Sequence, residues 1–345
     1  MGAGRRTVNK TTPTNEDEMI TRRSVLKAAG AAGVAASGIT PGWTAGPTPK
    51  TPVNFVVPRG ACDTHVHVVG DAAKYPMSPN RVYTPPTATA DELLALQNFL
   101  HFDHVVIVTP SFYGTDNSCS LDAMKQLGRE RARVVAVVDD KTPSAALEDM
   151  ARQGVAGLRV NLATTGEIDP AAATKKFQAG IDIAKAHGWH VQIYAGLGVI
   201  AAVGTALASS PVTLVLDHFG GADAALGTGQ AGFETLLSLV RSGIAYVKIS
   251  GAYRASKKAP DYADVVPLAE ALVAANPDRI VWGTDWPHPD STKVPGRANT
   301  EVTPYYPIDD GLLLNQLPIW VPDSAIRHKI LVDNPARHYG FKDNA

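Results

Sequence analysis

Cysteine is nearly absent from this 345-residue chain, which holds only Cys62 and Cys119. Two thiols cannot build a disulfide framework, and neither has a neighbour at metal-ligand spacing, so both read as small core residues. An excess of either charge is missing too: 32 Lys plus Arg stand against 33 Asp plus Glu. That balance gives no general attraction to nucleic acid or to an anionic membrane surface. No apolar run is long enough to span a bilayer, and no internal repeat or low-complexity tract interrupts the chain. What is present is an ordinary globular composition, 45% hydrophobic and 19% charged, with enough apolar residues for a large core. A partner must therefore be argued from a local site, which points to a small molecule.

Residues 1–50 do not read as part of a fold. Arg22 and Arg23 precede "AAGAAGVAASGI", a weakly apolar, glycine-punctuated run, and then "TPGWTAGPTPKTP". Paired arginines before a mild apolar stretch and small residues resemble a bacterial twin-arginine export signal followed by a linker. The expectation is a periplasmic or secreted protein with no stable membrane association after export. The folded domain is then residues 51–345.

After Pro52 the sequence alternates apolar, β-branched runs with helical patterns, the signature of repeated βα units. The runs are "ACDTHVHV" from Ala61, "DHVVIVTP" from Asp103, "ARVVAVVD" from Ala132, "GVAGLRVN" from Gly154, "GWHVQIYA" from Gly188, "VTLVLDHF" from Val212, "IAYVKISG" from Ile244 and "RIVWGTDW" from Arg279. Stretches such as "ADELLALQNFL" and "TKKFQAGIDIAKAHG" carry apolar residues at helical spacing between them. This count predicts an α/β fold, a (β/α)8 TIM barrel. A doubly wound sheet is the runner-up, and the first run lacks the glycine-rich turn a nucleotide-binding version would carry.

In such a barrel the active site lies at the C-terminal ends of the strands. Those ends supply His65 and His67, Thr109 to Ser111, Arg159 with Asn161, Gln192 with Tyr194, Asp217 with His218, Ser250 to Arg254, and Asp285. The two strand-one histidines are two positions apart, so an extended backbone aims both to one side. For a lone H-x-H, solvated surface imidazoles are the commoner case. Histidines, arginine and aspartate converging on one mouth are costly to desolvate without a purpose, which favours a site.

The segments "DTHVH", "TPSFYGTDN", "GLRVN", "DHFGG", "SGAYR", "WGTDWPHP" and "ILVDNPARHYGF" together resemble the amidohydrolase-2 (amidohydrolase-related) family. More narrowly they are similar to the subgroup that contains 2-pyrone-4,6-dicarboxylate lactonase, galactarolactone isomerase and sulfomuconolactone hydrolase. The similarity runs from about Pro58 to Phe341. It implies a barrel acting on lactones or related carboxylate-bearing rings. Binuclear members of the wider family carry a carboxylated lysine on strand four and a histidine on strand five. Here Arg159, Gln192 and Tyr194 stand there, which argues against two metals.

The resemblance implies a hydrolase in which Asp285 is the general base for water while His65, His67 and His218 polarise the lactone carbonyl. Arg159 and Arg254 suit a carboxylate clamp, since a guanidinium matches a carboxylate bidentately. Tyr83, Ser111 and Tyr194 resemble family positions that add hydrogen bonds around the ring, so the resemblance makes them expected substrate-binding residues. Where the pyrone lactonase has a second arginine after the strand-four one, this chain has Thr165, which suits a less charged lactone. The preferred expectation needs no cofactor. The alternatives are a single zinc on His65, His67 and Asp285 in a hydrolase or decarboxylase, a sugar-acid lactone isomerase, and a non-catalytic carboxylate binder. The binder is disfavoured because it would need the arginines and not the base.

Overall fold

The computed structural model describes residues 1–2, 45–292 and 294–342. The expected export segment with Arg22 and Arg23 lies outside the described residues. Contacts divide the chain into Met1–Pro41 and Gly42–Ala345, and everything below belongs to the second unit. No helix among the described residues is long and apolar enough to cross a membrane.

Each of the eight apolar runs contains a strand. These are β1 (Cys62–Val66), β2 (His104–Val108), β3 (Ala132–Ala136), β4 (Val155–Asn161), β5 (His190–Tyr194), β6 (Leu214–Leu216), β7 (Ala245–Ser250) and β8 (Ile280–Gly283). They pair in parallel in chain order, β1 to β8. Closure comes just beyond the last strand: Asp285 N donates to His65 O at 2.8 Å and His67 N to Trp286 O at 2.7 Å. The result is eight parallel strands in a nearly closed (β/α)8 barrel, with the C-terminal ends of β1 and β8 joined by backbone hydrogen bonds.

Helices fill the outer ring. The first, α1 (Ala90–Leu100), starts at a capping box in which Thr89 accepts from Glu92 N and the Glu92 carboxylate accepts from Thr89 N. Its buried face is Leu93, Leu96, Gln97 and Leu100. A longer helix spans Pro170–His187, with Asp169 at its cap and proline in its first turn. Inside the barrel floor, Cys62, Val106, Val108 and Val135 pack on Tyr339 and Phe341 from the C-terminal segment. Cys62 and Cys119 are free and buried, as small core residues should be.

Part of the stretch read as linker is bonded to the barrel. Gly46 N donates to Glu92 Oε1 at 3.0 Å, the Trp286 indole donates to Pro47 O at 3.0 Å, and Lys50 N reaches Asp309. Trp286 follows Asp285 directly, so this strap backs the loop that carries the candidate base.

Candidate active site

His65 comes from β1 and His67 from the residue after it, and their rings meet edge-on with centroids 5.1 Å apart. The register of β1 against β2 shifts between Asp63 and Val66, yet both imidazoles still reach the same side. His67 Nδ1 lies 2.7 Å from Val108 O. A carbonyl only accepts, so Nδ1 carries the proton and a neutral His67 presents a bare Nε2 lone pair. Burial first, against Asp285 and the Val108 carbonyl, lowers the His67 pKa and favours that neutral form.

Asp285 sits past β8 with a left-handed backbone, φ 67°, a strained conformation of the kind found at functional sites. Its Oδ2 accepts from Tyr253 Oη at 2.6 Å and Arg254 Nε at 2.5 Å. Its Oδ1 has no hydrogen bond and faces His65 Nε2 at 3.6 Å and His67 Nε2 at 3.5 Å. Burial alone would raise the Asp285 carboxyl, but Arg254, His218 and the strand-one imidazoles outweigh it and hold the group well below the usual carboxylate range. His218 follows β6, also at positive φ, with Nδ1 3.0 Å from Ser250 Oγ and Nε2 3.9 Å from Asp285 Oδ2. Burial lowers its pKa to about 4 against the pull of Asp285. Gly251, at φ 55°, leaves this room: a Cβ there would stand 2.9 Å from His218 Nδ1. That is why position 251 is a glycine.

The remaining expected residues gather here as well, two of them with unexpected partners. Arg159 on β4 lays Nε and Nη2 on Asp217 Oδ2 at 3.2 and 3.1 Å, with its guanidinium 5.2 Å from the Tyr194 ring. Tyr194 also packs edge-on against His218. Arg254 is held by Asp285 and by Pro289 O. Both arginines thus face a carboxylate of the protein itself. Tyr83 is buried, shares a hydrogen bond with Ser111, and has its hydroxyl pushed up to about 12 by burial. Thr165 turns its hydroxyl onto Leu162 O at 3.0 Å.

Below this layer lies a residue that sequence reasoning missed. Lys248 on β7 is wholly buried; its ammonium donates to Thr64 O at 2.8 Å and Gln192 Oε1 at 2.7 Å, and lies 3.4 Å from His65 Nδ1 and 3.7 Å from Asp217 Oδ1. Burial lowers it to about 8 against the attraction of Asp217. Gln192 completes the link by donating to Asp217 Oδ2 at 3.0 Å. Period-two alternation puts Lys248 on the face of Tyr246 and Ser250, so a lysine at that place in an apolar run was the available signal. Asp63 was also passed over. It accepts from His65 N, Thr284 N, Thr284 Oγ1 and Gln97 Nε2, tying β1, β8 and α1 together behind the histidines.

The convergence of His65 Nε2, His67 Nε2 and Asp285 Oδ1 bears directly on a metal. Ligands about 2.1 Å from a tetrahedral ion lie about 3.4 Å from one another. The two nitrogen-to-oxygen separations of 3.6 and 3.5 Å fit that edge, and His65 Nε2 and Asp285 Oδ1 are otherwise buried without partners. The donor set suits zinc. A second grouping, His65, Asp217 and His218, is poorer, because the Lys248 ammonium stands beside Asp217 Oδ1 and would repel a cation.

The amidohydrolase family model, Amidohydro_2, matches residues 62–341. The chain belongs to the amidohydrolase family. It is 36% identical over 292 residues to 4-sulfomuconolactone hydrolase of Hydrogenophaga intermedia, covering 84% of this chain and 91% of that one. It is 34% identical over 309 residues to a 2-pyrone-4,6-dicarboxylate hydrolase of Comamonas testosteroni, covering 87% and 96%. Among solved structures, a probable 2-pyrone-4,6-dicarboxylic acid hydrolase of Acinetobacter baumannii, with citric acid bound, superposes with TM-score 0.67 at 26% identity, covering 82% of this chain and 100% of that one. This amidohydrolase is an enzyme, and the matched span includes every candidate site residue named above.

Proposed function

We propose that this amidohydrolase opens a lactone that carries a carboxylate. The observation that carries the reading is Asp285: a buried carboxylate with Oδ2 fixed by Tyr253 and Arg254 and near His218, and Oδ1 left unbonded between His65 and His67. Oδ1 takes the proton of the attacking water and returns it to the ring oxygen as the acyl bond breaks. His218, backed by the Ser250 hydroxyl, donates from Nε2 to the carbonyl oxygen as charge develops there. The names of the relatives support this substrate class.

Asp217 and Asp285 already match Arg159 and Arg254. Lys248 is offset in turn by Asp63, so the cluster holds no surplus positive charge to balance a second substrate carboxylate. Thr165, spent on the backbone, adds no charge. The substrate is accordingly a monocarboxylated lactone.

The donor role first given to His67 does not fit its geometry, because its proton is committed to Val108 O. This favours a second reading of the same reaction, in which His65, His67 and Asp285 hold one zinc ion. Such an ion would supply a bound water of lowered pKa and a Lewis acid for the carbonyl. Export through the twin-arginine route is proposed with it, on Arg22 and Arg23.

The test is a panel of carboxylated and neutral lactones given to purified protein before and after chelation, with zinc content measured. The expected outcome is turnover confined to carboxylated rings. Equal turnover of neutral lactones would remove the clamp, an isomeric lactone as product would make the enzyme an isomerase, and no ring opening would refute the reading.

A further inference from the structure

We propose that Asp217 and Lys248 are positioning residues for His65, competing for its Nδ1 and so setting which ring nitrogen carries the proton. His65 Nδ1 lies 3.3 Å from Asp217 Oδ1 and 3.4 Å from Lys248 Nζ, and all three side chains are shut off from solvent. A carboxylate oxygen can only accept and an ammonium can only donate. The two neighbours therefore demand opposite tautomers, and the consequences appear at the other end of the ring, on Nε2.

The hydrogen-bond requirements of the neighbours decide between them. Lys248 commits two of its three N–H groups to Thr64 O and Gln192 Oε1. Asp217 Oδ2 is served by Arg159 and Gln192, whereas Oδ1 has no hydrogen bond of good geometry. With the proton on His65 Nδ1, the imidazole serves Oδ1 and the third lysine hydrogen also points to that oxygen, 3.7 Å away. With the proton on Nε2, Lys248 donates to Nδ1, the imidazole turns its proton to Asp285 Oδ1, and Asp217 Oδ1 is left with the ammonium 3.7 Å away. Either tautomer leaves one buried carboxylate oxygen short, Asp285 Oδ1 or Asp217 Oδ1. Asp285 Oδ1 faces the reacting centre, where water or a cation can serve it, whereas Asp217 Oδ1 has only His65 and Lys248 beside it. Asp217 therefore wins, and His65 joins His67 in presenting a lone pair toward Asp285 Oδ1.

The pair thus determines whether His65 accepts or donates at the reacting centre. As an acceptor it holds a cation; as a donor it would polarise a carbonyl. This deepens the reading above, resting on it only in placing the reacting atoms at His65 Nε2, and it can be tested without any lactone.

The full-length protein would be labelled with 15N-histidine, stripped with chelator and measured at pH 7 by long-range 1H–15N correlation, with His65→Gln assigning the signals. Wild type should show His65 protonated at Nδ1, Asp217→Asn should move the proton to Nε2, and Lys248→Met should leave it at Nδ1. Zinc alone, titrated into the same samples, should bind at least about tenfold more weakly to Asp217→Asn, as loss of a carboxylate behind a histidine ligand does. Lys248→Met should bind zinc as tightly as wild type or more so, since a nearby ammonium is gone. A wild-type proton on Nε2, or an Asp217→Asn spectrum unchanged from wild type, would overturn the proposal. Should Asp217→Asn not fold, Lys248→Met decides: a proton still on Nδ1 with zinc bound as tightly as in wild type or more so supports the proposal, and a proton on Nε2 or a tenfold loss of zinc affinity refutes it. A failed lactone panel would leave these spectra untouched, so the two readings fail separately.

Discussion

His67 Nδ1 and the carbonyl oxygen of Val108, on the neighbouring strand β2, are 2.7 Å apart. That one hydrogen bond turns the histidine's other nitrogen into an acceptor aimed at Asp285. If Nε2 holds an ion there, His67→Asn cannot replace it, because the shorter side chain does not reach the same point. Zinc content and turnover should fall together, turnover by about a hundredfold. Turnover retained in zinc-free His67→Asn would return the residue to a donor role.

The Tyr253 hydroxyl donates to Asp285 Oδ2 at 2.6 Å. Donation to the charged form of a carboxylate stabilises that form and keeps its pKa low. Tyr253→Phe removes the donor, so the Asp285 pKa should rise. The acid limb of kcat/KM should then move to higher pH, with the alkaline limb in place. An unmoved acid limb would mean that a different group titrates there.

Arg159 pairs with Asp217 inside the barrel, so its replacement has two effects. Arg159→Met should raise KM for carboxylated lactones and lower kcat, since orientation is realised in the transition state. It should also destabilise the fold, because removing one partner of a buried pair leaves the other charge uncompensated, typically at about 3 to 5 kcal/mol. Arg159→Lys separates the two by keeping a charge near Asp217 without the planar fork. It should recover most of the melting temperature and little of the KM. Full recovery of both would make the forked geometry irrelevant.

Export is tested on the segment outside the barrel. Replacing Arg22 and Arg23 by lysine should leave the protein in the cytoplasm of a host with a twin-arginine pathway. An unchanged periplasmic yield would remove that assignment. Secretion of a folded barrel agrees with a chain whose two cysteines are buried and free.

The barrel was legible because each strand is a compact apolar run and the runs come in spatial order, which parallel βα units enforce. The mouth was legible for a related reason: strand ends are the one place where His65, Arg159, His218 and Asp285 have no structural excuse. What escaped was the pairing. Nothing in a linear sequence says that Asp217 turns to Arg159 and His65, or that Arg254 turns to Asp285, since those contacts join strands far apart in the chain. Lys248 escaped for the opposite reason. One lysine in "AYVKIS" reads as a solvated strand residue, and only barrel closure shows that its face is the interior.

His190, on β5 at the opposite end from the mouth, gives a prediction that does not involve catalysis. Burial, with Lys248 adding repulsion, lowers its pKa to about 3 against a hydrogen bond to Ala156. An exposed histidine in the unfolded chain titrates near about 6.5. Between those values the unfolded state binds a proton that the folded state refuses, so ν_U exceeds ν_N and stability falls as the pH drops. The contribution is nil above about pH 7 and approaches about 1.4 kcal/mol per pH unit below about pH 6. His218, lowered to about 4, acts in the same direction over a shorter span. Urea melts at pH 7 and pH 5 should therefore show an acid-sensitive protein, with part of that sensitivity removed in His190→Gln, which keeps a donor for the Ala156 carbonyl. An equal pH 7 to pH 5 loss in His190→Gln and wild type would assign the acid sensitivity to the other buried histidines, His338 beside it and His65, His67 and His218 at the mouth.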